Sequence, residues 1–157
     1  MKFGTAAVLL AGAAVAGVGA ARLRQEAKHQ RERVDIALAR NQLDWLEKVS
    51  TDPAVAATWA PAGMKAEEYM GLMSANHMIC TLSLRDRLGL VSRHQLRLYA
   101  SMIMRNETAR RYWVRFGDLR IQEALGDPRA ERLNDALEKA ADEAVRAAER
   151  ETQPAAA

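Results

Sequence analysis

Apolar residues recur along this chain at three- and four-residue spacing, the period of a helix with one buried face, and no sustained strand-like alternation competes with it. From Arg22 to Ser50 nothing interrupts a helix, and Val34, Leu38, Gln42, Trp45, Leu46 and Val49 line one side of it. That stripe begins only near Val34. Residues 22–33 are therefore expected to be a basic, solvated juxtamembrane stalk, and residues 34–150 the folded domain. Asp52-Pro53 restarts the chain, because an aspartate can cap a helix whose first position suits proline. A short helix, AVAATWA, stops before Pro61-Ala62-Gly63, and a long one follows from Lys65 to Leu88, ended by Gly89. Ser92 with Gln95 reads as a capping box for a helix through Arg105. Asn106-Glu107-Thr108 is a new start or a bend, after which Ala109, Tyr112, Trp113 and Phe116 share a face and Gly117 is expected to stop the helix. A short piece, Leu119 to Leu125, ends at Gly126. Asp127-Pro128 then opens a last helix to Arg150, striped by Leu133, Leu137, Ala140, Ala144 and Ala148. The i,i+4 pairs Asp135–Lys139 and Asp142–Arg146 would lie on its outer face, and residues 151–157 are expected to be a disordered tail.

The N-terminal pattern is of a different kind. Phe3 to Ala21 is 19 residues without a charge. As a helix it would be about 28 Å long, close to the hydrocarbon thickness of a bilayer. A retained anchor, a cleaved signal peptide and a soluble alanine-rich helix all fit such a run, and Val18-Gly19-Ala20 would pass as a cleavage site. The flanking charges favour the anchor: Arg22, Arg24, Lys28, Arg31 and Arg33 follow the segment, whereas only Lys2 and the amino terminus precede it. Positive charge stays on the cytoplasmic side, so the bias predicts a single-pass protein of the cell membrane, in the bilayer through residues 3–21, with its C-terminal domain inside. The fold expected overall is all-α: an N-terminal transmembrane helix over 1–21, continuing through the stalk into an irregular helical bundle.

Composition agrees with helix, since alanine, leucine, glutamate and arginine dominate and lose little side-chain freedom there. A single cysteine excludes an intrachain disulfide. The net charge of +3 conceals blocks, with residues 1–33 and 85–120 basic and residues 34–84 and 121–157 acidic.

Three stretches carry a resemblance: DPAVAATWAPAGM at 52–64, NHMICTLSLRDRLGL at 76–90 and RRYWVRFG at 110–117. In this order they resemble an uncharacterised family of small actinobacterial proteins, each with an N-terminal hydrophobic segment and a helical domain of unknown function. The resemblance implies a membrane-tethered helical domain and supplies no catalytic residues.

Candidate chemistry is sparse. His77 and Cys80 stand at i,i+3 on one helix and would be close enough for a dyad. Their face continues through Met70, Met73, Leu84 and Leu88, however, so both are expected to be buried core residues, with the histidine hydrogen-bonded. A zinc site from His and Cys alone would need His29, His77, Cys80 and His94 together, and His29 lies on the stalk. The carboxylate pairs Glu67–Glu68 and Glu123–Asp127 have no histidine at ligand spacing, and no Walker loop, dinucleotide fingerprint, HExxH or nucleophile elbow is present. No metal, cofactor or catalysis is expected.

Residues 84–97 could form a helix-turn-helix reader, with Arg93, His94 and Arg97 toward a groove, although arginines on solvated helix faces explain the same pattern. Tyr112, Trp113 and Phe116 beside Arg110, Arg111 and Arg115 suit an aromatic core edged by arginine stems, which Trp45 and Trp59 are expected to join. The functional expectation is a membrane-anchored module that binds another protein in a regulatory or scaffolding role. Arg93, Arg97, Arg110, Arg111 and Arg115 are its candidate contacts. A nucleic-acid-binding regulator using 84–97 is the second reading, and an enzyme centred on Cys80 the third.

Overall fold

The computed structural model describes residues 3–152, with side chains over 22–150, and among these residues it holds six helices and no strand. They are α1 (Phe3–Thr51), α2 (Pro53–Trp59), α3 (Ala66–Arg87), α4 (Arg93–Met104), α5 (Glu107–Ala124) and α6 (Pro128–Thr152). The chain divides into two units, one ending at Arg40 and the other beginning at Asn41. In the first unit, residues 22–38 are all exposed, including Val34 and Leu38. The expected stripe is therefore buried only from Leu46 onward, where the second unit supplies something to pack against. No helix among the described residues is long and apolar enough to cross a membrane. The anchor expected over 1–21 falls on residues whose side chains lie outside that description. The tail expected from 151 is helical to Thr152, and residues 153–157 lie outside the described residues.

In the second unit local chemistry sets the helix ends. Asp52 accepts the N–H groups of Ala54 and Val55 at the start of α2. Ser92 and Gln95 form the complete capping box of α4. Asn106 accepts from Thr108 and Ala109, so α5 is a separate helix and not a bend. Asp127 accepts from Arg129 at 3.0 Å and Ala130 at 3.3 Å. Its slight burial raises its pKa, but those two donors and the nearby Arg87 and Arg129 outweigh this and hold the carboxyl below its usual range. Gly89, with φ of 72°, ends α3: its N–H reaches the Asp86 carbonyl while that of Leu90 reaches Arg85, leaving the last turn satisfied.

Gly117 is not a stop. It lies buried inside α5, and a β-carbon there would meet the Trp113 indole at 3.1 Å. The glycine lets its own helix's tryptophan fold flat against it, and α5 absorbs the piece expected as a separate helix from Leu119.

One core joins these helices. It contains Leu46 and Val49 of α1, Leu72 and Ile79 of α3, Leu96 and Met104 of α4, Tyr112 and Trp113 of α5, and Leu133 and Leu137 of α6. On α6 the buried face runs through Ala140 and Ala141, while Ala148 is exposed and the expected Asp135–Lys139 and Asp142–Arg146 ion pairs do not form. Polar ties fasten the end of α3 to the start of α6. Arg87 pairs with Asp127 at 2.8 Å, Arg132 pairs with the buried Asp86 at 2.8 Å, and Arg129 donates to the Arg87 carbonyl.

Candidate functional site

The face of α3 that carries Asn76 and Cys80 meets the face of α5 that carries Tyr112 and Arg120. Tyr112 Oη donates to Asn76 Oδ1 at 2.9 Å, and Arg120 Nη1 donates to the same oxygen at 3.1 Å. Cys80 Sγ lies 3.4 Å from that oxygen and 3.9 Å from Arg120 Nη1, and Gln42 Nε2 of α1 approaches it at 3.8 Å. The buried Asn134 of α6 donates to the Arg120 carbonyl at 2.9 Å. No carboxylate pairs with Arg120 among the described residues, and its Nε is buried without a partner. Burial works against the Arg120 cation, yet Tyr112 and Cys80 beside it outweigh burial and its pKa is raised. Burial raises the Tyr112 phenol, and the opposing pull of Arg120 does not cancel it. This is a neutral-phenol, cationic-guanidinium cluster that locks α5 onto α3.

Its linkage to pH has a definite sign. The unfolded chain releases the Tyr112 proton at the ordinary pKa of 10.0, while the folded chain still holds it. Stability from this group is complete below that value and falls as pH rises through the higher folded pKa. Urea denaturation above about pH 10 is expected to show a declining midpoint whose slope is shallower in Tyr112→Phe. The same variant should cost about 1 kcal/mol at neutral pH, from the lost bond to Asn76. An unchanged slope would mean that Tyr112 titrates as if exposed.

His77 and Cys80 do not form a dyad. Residues at i,i+3 differ by about 60° around a helix axis, and α3 is flanked on both sides. Cys80 turns toward α1 and α5, whereas His77 turns to a groove beside α4. Both are half-buried, and the His77 ring forms no hydrogen bond among the described residues, so the expectation of a hydrogen-bonded core histidine is corrected. Among the described residues no group of three or more His, Cys, Asp or Glu is placed to hold a metal.

The groove itself, about 520 Å³, lies between α3 and α4. Met78 and Leu82 form one wall, and Tyr99, Met102 and Ile103 the other. Arg85 lies over the Tyr99 ring, 5.3 Å from its centre. The Arg85 guanidinium has no hydrogen-bond or ion-pair partner among the described residues, and no carboxylate lines the groove.

The sequence-derived arginines separate. Arg110 caps the end of α4, donating to the carbonyls of Met104 and Arg105, and Arg111 pairs with Glu68. Arg115 is exposed, with its guanidinium 5.7 Å from the Phe116 ring centre. Arg93 and Arg97 are exposed on α4 without side-chain partners among the described residues. Trp45 and Trp59 do not join the core: they pair edge to face at 5.8 Å and remain 40% and 58% exposed. Apolar spacing marked Trp45 as inward, but the ring it meets is Trp59 of α2, which is itself at the surface. Neither the groove nor the tryptophan patch was legible in the sequence, because each needs two helices to exist.

Six helices and no strand among the described residues, with a half-buried polar cluster, an uncovered apolar groove and a surface tryptophan pair, define the class: a small all-α domain. The chain belongs to a family of unknown function (DUF6082), whose model matches residues 1–157. No curated protein and no solved structure matches it.

Proposed function

We propose that this protein is a single-pass, membrane-anchored helical module, of actinobacterial origin on its motif resemblance, whose domain on the cytoplasmic side binds another protein in a regulatory or scaffolding role without catalysis. The Trp45–Trp59 pair carries this reading. Tryptophan is seldom left so exposed, and paired exposed tryptophans resemble the aromatic anchors that dominate protein interfaces. The uncharged run at 3–21 and the basic residues after it support the anchor and its orientation. A second reading, nucleic-acid binding through 84–97, is favoured by the unpaired, exposed Arg93 and Arg97 that follow the turn at Gly89.

One purification tests both readings. Tagged protein is expected in the membrane fraction, and after detergent solubilisation a nuclease-insensitive protein partner should accompany it. The double variant Trp45→Ala, Trp59→Ala is expected to weaken that capture by about tenfold or more. Soluble fractionation would remove the anchor. A partner set lost on nuclease treatment and on Arg93→Ala with Arg97→Ala, but untouched by the tryptophan variant, would favour the second reading.

A further inference from the structure

We propose that the α3/α4 groove binds an amphiphilic monocarboxylate, its hydrocarbon chain lying along Leu82, Met78, Ile103 and Met102 and its carboxylate held by Arg85. The inference is independent of the tryptophan surface. Met78 and Met102 are 39% and 57% exposed although they face an apolar floor, and methionine adapts its shape to whatever occupies such a site. The volume falls in the range of small-molecule sites, about 300–1,000 Å³. Along α3 the groove runs from His77 to Arg85, eight residues or about 12 Å. A three-turn partner helix would need about 16 Å. A flexible chain fits the shorter length.

Charge selects the head group. Among the described residues the rim offers one full positive charge, on Arg85, and no negative one. The exposed Arg85 guanidinium lies over the Tyr99 ring with no protein group among the described residues on its N–H fork, which can meet a carboxylate with two parallel hydrogen bonds. A cationic amphiphile would meet repulsion there, and a neutral one would gain no ionic contact from Arg85, which stays exposed to solvent. A phosphate monoester would bring more negative charge than one guanidinium balances.

The test follows the methionine methyl resonances of the full chain, held in a lipid nanodisc, during titration with decanoate, decanol and decyltrimethylammonium. Decanoate is expected to shift Met78 and Met102 saturably and to leave the buried Met73 and Met104 in place. Arg85→Gln should raise its Kd by about tenfold, and decanol should bind the unaltered protein about as weakly as decanoate binds that variant. Met102→Glu should abolish binding by placing a carboxylate in the groove. Binding should survive Trp45→Ala with Trp59→Ala, which separates it from the protein-binding surface. Equal responses to decanoate and decanol, or shifts that never saturate, would overturn the proposal. So would an absent decanoate response, and if the co-purified protein partner then perturbed the same two methyls the groove would be assigned to that partner.

Discussion

Arg132→Met is expected to destabilise the domain by about 3 kcal/mol, because it strands a buried carboxylate. Asp86 is 6% exposed, and its Oδ2 receives Arg132 Nη2 at 2.8 Å from across 46 residues of sequence. Methionine keeps most of the arginine stem's packing, so the loss measures the charge and not the volume. The converse double variant, Asp86→Leu with Arg132→Met, removes the buried charge altogether. It should recover most of the loss, since an ion pair replaced by apolar side chains is often neutral. Urea denaturation of the single and double variants checks this. A single-variant loss under about 0.5 kcal/mol would mean that water reaches Asp86 and that the α3–α6 tie is only a surface pair.

Leu137→Ala should cost about 3 kcal/mol, in the range for leucines that leave an unfilled cavity. Leu137 has no exposed surface, and α6 seats it with Leu133 against the core helices. Replacing Val114, 87% exposed on α5, with alanine is the matched control and should change stability by less than about 0.5 kcal/mol. If Leu137→Ala behaved like the control, α6 would be a peripheral helix and the shared core across α1 and α3 to α6 would be wrong.

These two variants also divide what was readable in advance from what was not. Leu137 was marked by its spacing, because the face of an amphipathic helix repeats locally and needs no knowledge of its partner. The caps at Asp52, Ser92 and Asp127 were legible for the same reason, a side chain satisfying N–H groups two or three residues away, whereas Asn106 was left between a start and a bend. Asp86 gave no comparable signal. It sits between two arginines in sequence, yet its partner is Arg132, and nothing in the run Arg85-Asp86-Arg87 says which charge faces inward. Gly117 misled for a related reason. A glycine inside a helical pattern reads as an ending, and only the position of the Trp113 ring makes it an interior packing residue.

The candidate surfaces follow the same division. The sequence alone determined an all-α chain, the starts of α2, α3, α4 and α6, and an uncharged N-terminal run followed by basic residues. These depend on interactions within a few residues or on simple composition. Tertiary structure alone decided that His77 opens into the groove while Cys80 joins Arg120, and that Trp45 and Trp59 stay at the surface. Which side of a helix is covered is settled by neighbours distant in sequence, and one helical turn is enough to send two adjacent side chains to different partners.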